Sequence, residues 1–294
     1  MTVRSVCLLL ILACLTVLCS AVASFAQAPA PLPPHVVACT PAPFATNVDV
    51  NLAQVSLTFD RPMNTTGLSG FSPLRWFGVY PAAGKAVPTW NADGTVCSLP
   101  VKLDADATYA VAINTNKKGS FTDAAGAAAL PFAWAFSTGA RTPADFPTSV
   151  VSADPALAAA DVDATKHEIT LVFSHPLAPG VPTPTILSTY GASPLAGGAG
   201  KGGANANGKG RARPARFSPL SLSADRLTLT INVTLVPGTV YALGINAAAE
   251  PSVVDSLGRP VLPYAWCFKT AGTPPAPTAG GPAPGAGATP APAK

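Results

Sequence analysis

The segment Leu130-Pro-Phe-Ala-Trp-Ala-Phe-Ser-Thr138 returns later in the chain as Leu262-Pro-Tyr-Ala-Trp-Cys-Phe-Lys-Thr270. A second stretch, Val55-Ser-Leu-Thr-Phe-Asp-Arg-Pro-Met63, returns as Ile169-Thr-Leu-Val-Phe-Ser-His-Pro-Leu177. Self-similarity at this scale is typical of a duplicated folding unit. The sequence therefore predicts two copies of one domain, called here repeat one (36–139) and repeat two (150–272), with a linker at 140–149.

Apolar and polar residues alternate within each repeat. Val55, Leu57 and Phe59 are separated by Ser56 and Thr58. The same period of two recurs at 109–113, 227–233 and 241–245. Alternation of this kind predicts half-buried strands, and its density predicts about seven short antiparallel strands per repeat. We expect an all-β chain of two tandem antiparallel β-sandwiches.

The order of these elements resembles a known family, the bacterial Ig-like domain of the S-layer type (SbsA Ig-like). The resemblance rests on an opening Val-Val…Pro segment (36–41 and 150–155) and on a strand that ends in Phe-x-x-Pro (59–62 and 173–176). It covers most of the chain, although His175 and Leu177 depart from the pattern. The resemblance implies two extracellular Ig-like sandwiches that space or present other modules, and it implies no catalytic residue.

The two ends of the chain have distinctive compositions. Arg4 precedes an apolar run, and small residues follow, so residues 1–28 are predicted to be an export signal cleaved between Ala23 and Ala28. Two alternatives stay open, a retained membrane anchor and lipidation at Cys14. Residues 29–35 form a proline-rich lead-in, and the Pro/Ala/Gly-rich residues 273–294 predict a disordered tail. The protein is expected to be secreted, periplasmic or at the cell surface.

Repeat two carries an insertion at 196–216 that repeat one lacks. It is rich in glycine and therefore predicts a surface loop. Its cations are candidates for contact with an anionic envelope polymer, the alternative being a solvated loop with no partner. The candidate residues are Lys201, Lys209, Arg211, Arg213 and Arg216.

Three of the six cysteines lie in the signal, which leaves Cys39, Cys97 and Cys267 in the body of the chain. An odd number in an oxidising compartment permits at most one internal bridge. Cys39 and Cys97 are candidates for that bridge if their Cα atoms lie within about 7 Å. Cys267 lies between Trp266 and Phe268, so its side chain is expected on the opposite face of the strand and outside the bridge.

Composition and motifs exclude several classes of function. Charged residues make up 11% of the chain and the net charge is +4, too little to indicate a nucleic-acid partner. The histidines His35, His167 and His175 lack ligand spacing, so no metal is predicted. Asp123 and Asp255 recur in Asp-x-x-Gly, which indicates turns rather than catalysis. We predict no catalytic residue and no cofactor.

Aromatic residues divide into two groups. Those that recur in both repeats are predicted to be core; they are Phe59/Phe173, Tyr109/Tyr241, Trp134/Trp266 and Phe136/Phe268. Trp76, Phe77, Tyr80 and Trp90 have no strict counterparts in repeat two. They either pack within repeat one or form a surface platform for a sugar ring.

The sequence thus predicts a non-enzymatic exported protein with a structural, adhesive or spacer role at the bacterial envelope. Its partner would be an envelope polymer or a surface protein. A polysaccharide-binding protein that uses the aromatic platform is the alternative, followed by a hydrolase with an unrecognised site. Because each repeat has its own strands and core, we also expect each to fold alone.

Overall fold

A computed structural model describes residues 31–66, 70–74, 76–81, 83–84, 87–115, 121–180, 182, 184–187, 220–247 and 251–273. The predictions for the export signal, for the insertion at 196–216 and for the tail beyond 273 lie outside these residues. The strands of repeat one are β1 (Val36–Thr40), β2 (Gln54–Phe59), β3 (Phe71–Pro73), β4 (Thr89–Trp90), β5 (Val96–Pro100), β6 (Thr108–Ile113) and β7 (Phe132–Ser137). Those of repeat two are β8 (Val150–Asp154), β9 (Ala159–Val162), β10 (Glu168–Phe173), β11 (Thr185–Ile186), β12 (Leu220–Leu222), β13 (Thr228–Asn232), β14 (Val240–Ile245) and β15 (Tyr264–Thr270).

The strands form three sheets. Repeat one has a four-stranded sheet in the order β1-β2-β5-β4, and repeat two has one in the order β12-β13-β10-β8. The third sheet runs β11-β14-β15-β7-β6-β3, with β9 parallel to β15, and so belongs to both repeats. Each repeat is a sandwich of its own four-stranded sheet and one half of the shared sheet. The predicted all-β, two-sandwich fold class is confirmed.

The alternating pattern of the sequence matches the inward face of each sandwich. Val55 and Leu57 are fully buried, and Leu57 pairs in register with Cys97 on β5. In repeat two Leu171 pairs with Leu229 in the same way. Full burial of an aliphatic side chain stabilises the fold by about 1.5–3 kcal/mol.

The recurring aromatic residues form the centre of each core, as predicted. All eight have an exposed fraction of 2% or less. Tyr109 stacks on Phe136 with ring centroids 5.3 Å apart, and Tyr241 lies 5.4 Å from Phe268. The phenol oxygen of each tyrosine accepts a hydrogen bond from the backbone amide five residues earlier, at Asp104 and Val236. This bond ties the strand to the loop that precedes it, in the manner of a tyrosine corner.

The central strands of the shared sheet, β7, β6, β14 and β15, are buried on both faces, whereas the sequence predicted half-buried strands. The outward residues of β6 and β7 include Ala110 and Ala135, which are 1% and 0% exposed. Their counterparts on β14 and β15, Ala242 and Cys267, are fully buried. Small side chains on an outer face allow another segment to approach the backbone closely, so the covering residues decide how the two repeats are joined.

Candidate functional site at the junction of the repeats

The two repeats meet edge to edge through their last strands. β7 and β15 are antiparallel, and Phe132 pairs with Tyr264. These two residues occupy the same position in their repeats, since each follows a Leu-Pro pair. An antiparallel pairing of equivalent residues places an approximate two-fold axis between them, so the junction is built like the isologous interface of a symmetric dimer.

Two leucines at equivalent positions each pack against the opposite repeat. Leu262 of repeat two belongs to the buried cluster that contains Ala110, Ala133 and Ala135 of repeat one. Leu130 of repeat one belongs to the cluster that contains Ala242, Ala265 and Cys267 of repeat two. Each repeat therefore completes the outer face of the other.

The backbone at these leucines is bonded to the segment that leads into each repeat. The amide of Leu130 donates to the carbonyl of Pro34 at 2.8 Å, and the amide of Leu262 donates to that of Thr148 at 2.8 Å. Beside these bonds, Phe146 lies in the cluster over repeat one, and Leu32 packs against the cluster over repeat two. The lead-in and the linker thus have equivalent structural roles.

The linker is fixed to both repeats. The Arg141 guanidinium bonds the Asp106 carboxylate at 2.7 Å and the Asp106 carbonyl at 2.8 Å. From repeat two, Arg259 donates to the carbonyl of Ala144 at 3.0 Å. A linker held at both ends fixes the angle between the domains.

Asp255 holds the Arg259 side chain that bonds the carbonyl of Ala144. Its Oδ1 accepts the amides of Leu257 and Arg259, each at 2.9 Å, and its Oδ2 accepts the Arg259 guanidinium at 2.9 Å and the Thr148 hydroxyl at 3.1 Å. Burial by itself would raise the pKa of Asp255, but these hydrogen bonds outweigh it and lower the pKa. Asp123 accepts the equivalent amides, of Ala125 and Ala127, so the predicted role of both aspartates in turns is confirmed.

Sequence reasoning missed a pair of buried asparagines. Asn114 and Asn246 follow the Tyr-containing strands and have positive φ angles of 51° and 47°. The amide of Asn114 donates to the carbonyls of Phe121 and Ala129, while its oxygen accepts the amide of Phe121. Asn246 makes the equivalent bonds. The sequence does contain a pattern that could have revealed them. Each asparagine follows an isoleucine, and the two are separated by the same number of residues as the repeated tyrosines.

A cleft of about 390 Å³ opens where the linker meets both repeats. Its apolar wall includes Phe44 of repeat one, Phe146 of the linker and Val151 of β8. Phe44 has a φ of 61°, a left-handed conformation that is rare for a bulky residue, and its ring contacts that of Phe146 edge-on at 5.3 Å. The equivalent residue in repeat two is Ala158, so the aromatic wall exists on one side of the two-fold axis only.

Each polar side chain of the cleft is able to donate a hydrogen bond. These side chains are those of Thr46, Arg141, Ser149, Ser174 and His175, and no carboxylate of the described residues lines the cleft. The Ser149 side chain is buried, and its hydroxyl has no hydrogen-bond partner among the described residues. Ser174 Oγ lies 3.0 Å from His175 Nδ1, and the part of the chain that the structure describes gives this histidine no carboxylate partner of the kind that orients the histidine of a catalytic triad.

The four aromatic residues proposed as a sugar platform are not brought together. Trp90 and Tyr80 pack against the sandwich core of repeat one, where Trp90 lies 5.8 Å from Phe59. Trp76 and Phe77 pack on the other face of the sheet, over the outward alanines. The shared sheet therefore lies between the two pairs, and the four side chains do not form one platform. The proposed anion contacts of the insertion lie outside the described residues.

The proposed Cys39–Cys97 bridge is contradicted. Cys39 and Cys97 both pair with Leu57, one from β1 and the other from β5, so β2 lies between them. Two strand spacings separate their Cα atoms by about 10 Å, beyond the reach of a disulfide. No disulfide joins these cysteines or Cys267, which is buried on the outer face of β15 as expected. Burial raises the pKa of Cys39 and of Cys267 to about 12.

Two kinds of feature are absent from the described residues. They contain no group of three or more His, Cys, Asp or Glu side chains placed to hold a metal ion. The same part of the chain has no apolar helix of the length needed to cross a bilayer.

Comparison with known proteins identifies a family. The family described as "Bacterial Ig-like domain" matches residues 31–138 and again residues 144–270. A search of curated proteins finds no match.

Solved structures give distant likenesses. Surface layer protein SbsC, domains 1–6, is 15% identical with a TM-score of 0.25, and covers 48% of this chain; the chain spans only 18% of that protein's length. The complex of Dpr2 Ig1-Ig2 with DIP-Theta Ig1-Ig3 is 10% identical with a TM-score of 0.25, and covers 81% of this chain and 95% of the other. Titin A168–A169 is 10% identical with a TM-score of 0.21, and covers 82% and 98%.

Proposed function

Because this chain belongs to the bacterial Ig-like domain family, with two tandem copies, we propose that it is a non-enzymatic, exported module with an adhesive or structural role at the cell envelope. The observation that carries the proposal is the reciprocal packing of Leu130 and Leu262. This packing joins the two repeats into one rigid body, in contrast to two domains connected by a flexible linker. A rigid pair presents its loops to a partner in a fixed arrangement, which lowers the entropy cost of binding.

The position of the chain ends favours display over spacing. Leu32 and Phe146 are equivalent, as are Thr273 and Arg141. Since Arg141 and Phe146 are five residues apart, the two-fold relation places Leu32 and Thr273 within about 18 Å. When a chain enters and leaves a domain pair at nearly the same place, the pair projects sideways from the point of attachment. It then adds little to the distance between the segments that flank it.

Spin labels can test this geometry. We expect a short distance, below about 30 Å, between labels at the exposed residues of Pro31→Cys and Thr273→Cys, since each label adds its own length to the separation. Two domains set end to end would place the labels about 60 Å or more apart, given a radius of gyration near 13 Å for each. The longer distance would contradict an arrangement in which residues 32 and 273 lie close together.

Envelope binding tests the role itself. The folded protein should be retained by envelope preparations of the source bacterium, whereas a Leu130→Ala/Leu262→Ala variant with a loosened junction should be retained less. Equal retention of both would show that the rigid pair has no part in binding. Absence of retention for the wild-type protein would contradict the adhesive role.

A further inference from the structure

The junction cleft has the chemistry of a site for an acceptor-rich, apolar chain. Its wall is made of Phe44, Phe146, Pro143, Pro147 and Val151, and Val151 is 59% exposed. Its polar side chains can all donate a hydrogen bond, and the buried hydroxyl of Ser149 has no acceptor among the described residues. A ligand that offers carbonyl groups and apolar rings but few N–H groups would complement this lining.

A proline-rich chain is such a ligand. Proline has no backbone N–H, and the polyproline II conformation leaves every carbonyl without an internal partner. Aromatic-lined grooves are the recurring sites for such segments. Residues 274–294 of this chain contain Pro282-Ala-Pro284 and Pro290-Ala-Pro292, and their only charged side chain is that of Lys294.

We propose that residues 282–292 dock in the junction cleft of the same molecule as an extended proline-rich segment. The cleft lies near Ala135, whose carbonyl accepts the amide of Phe44. From the register of β7 with β15, Thr270 is about 30 Å from Ala135 along the sheet. At about 3.1 Å per residue, the chain from Thr270 reaches the cleft at about residue 280, so Pro282–Pro284 is the first pair that can enter.

The equivalent surface on the other side of the two-fold axis is unsuited to this ligand. There Ala158 replaces Phe44, and the positions of Ser174 and His175 are taken by Asp60 and Arg61. These two form an ion pair at 2.7 Å, so this surface carries a carboxylate, which would repel the carbonyl groups of the ligand. The exposed Val37 corresponds to Val151 and provides a matched control position.

The test uses a nitroxide at Ala286→Cys in the full mature chain, with paramagnetic broadening of backbone amide signals as the readout. The native cysteines are shielded from the label, because Cys39 is partly buried while Cys97 and Cys267 are buried. We expect broadening concentrated at Val151, Ser174 and His175. Val151→Asp should reduce it at least tenfold, and Val37→Asp should leave it unchanged.

A second set of variants isolates the role of proline. Replacing Pro282, Pro284, Pro290 and Pro292 together by alanine should abolish the broadening, while the dispersed amide spectrum of residues 31–273 stays intact. Broadening that is spread evenly over the surface, or that survives Val151→Asp or the proline replacement, would overturn the proposal. Equal broadening when a labelled chain is mixed with an isotope-labelled, nitroxide-free chain would overturn docking within one molecule.

Discussion

The exchange of leucines across the junction predicts that a substitution in repeat two destabilises repeat one. Leu262 is 3% exposed and lies among the outward alanines of repeat one. Leu→Ala substitutions at buried sites cost about 2–5 kcal/mol, and we expect about 3 kcal/mol for Leu262→Ala because the surrounding alanines have no long side chains to fill the cavity. For a domain pair of this size that loss lowers Tm by about 6–12 °C.

Tryptophan fluorescence during guanidinium unfolding is the assay. Trp76, Trp90 and Trp134 lie in repeat one and only Trp266 lies in repeat two, so the signal reports mainly on repeat one. Leu262→Ala should shift this signal to lower denaturant, and Leu130→Ala should have an effect of similar size. In the double variant the repeats should separate into two transitions.

The matched control is Leu257→Ala, because Leu257 lies in repeat two and is 72% exposed. Its effect should stay within about 0.5 kcal/mol. If Leu262→Ala costs no more than Leu257→Ala, the reciprocal packing contributes nothing to stability, and the reasoning that joins the repeats into one unit is refuted.

Three further predictions concern single sites. Asp255→Asn should cost about 1.5–3 kcal/mol at pH 7 by guanidinium unfolding; because the pKa of Asp255 is lowered on folding, this difference should be fully present above about pH 4 and be lost as pH falls through the folded pKa, and a difference that does not shrink on acidification would contradict the assignment. Asn114→Ala should cost about 3 kcal/mol in thermal unfolding, since it removes three hydrogen bonds at a buried site, among them the one that the Phe121 amide donates, whereas Asn51→Ala at an exposed turn should cost far less. In a chain of residues 29–294, a thiol reagent should find three reactive thiols after denaturation and almost none in the folded state; fewer than three in denaturant would restore a bridge among Cys39, Cys97 and Cys267.

The alternation of apolar residues sufficed to predict the sandwich cores, because a period of two places Val55, Leu57 and Phe59 on one face whatever lies around them. It could not predict the junction. Alanine at positions such as Ala110 and Ala135 is compatible with a solvent-facing or a covered surface, and the residues that cover it include 146 and 262 beside 76 and 77 of the same repeat. Contacts this distant in sequence leave no local pattern.

The same limit applies to the candidate site and to the autonomy of the repeats. Cys39 and Cys97 both contact the core of repeat one, but only the strand order shows that β2 separates them. The aromatic residues Trp76 and Trp90 were candidates because of their type alone. Their sequence positions do not show that they lie on opposite sides of the shared sheet. Independent folding of each repeat stays a prediction, and an isolated repeat one would have to expose the alanines that Phe146 and Leu262 cover.

The approximate two-fold axis also bears on how this chain could have arisen and diverged. Two separate copies of one repeat, related by a true axis, could form the same edge-to-edge pairing and exchange the same leucine. In such a dimer every substitution is present in both subunits, and so on both sides of the axis. Fusion into one chain removes that restriction, so Leu130 and Leu262 keep their identity where each repeat needs the other, while Phe44 and Ala158 are free to differ. An asymmetric cleft is therefore something that a fused pair can acquire and a symmetric dimer cannot.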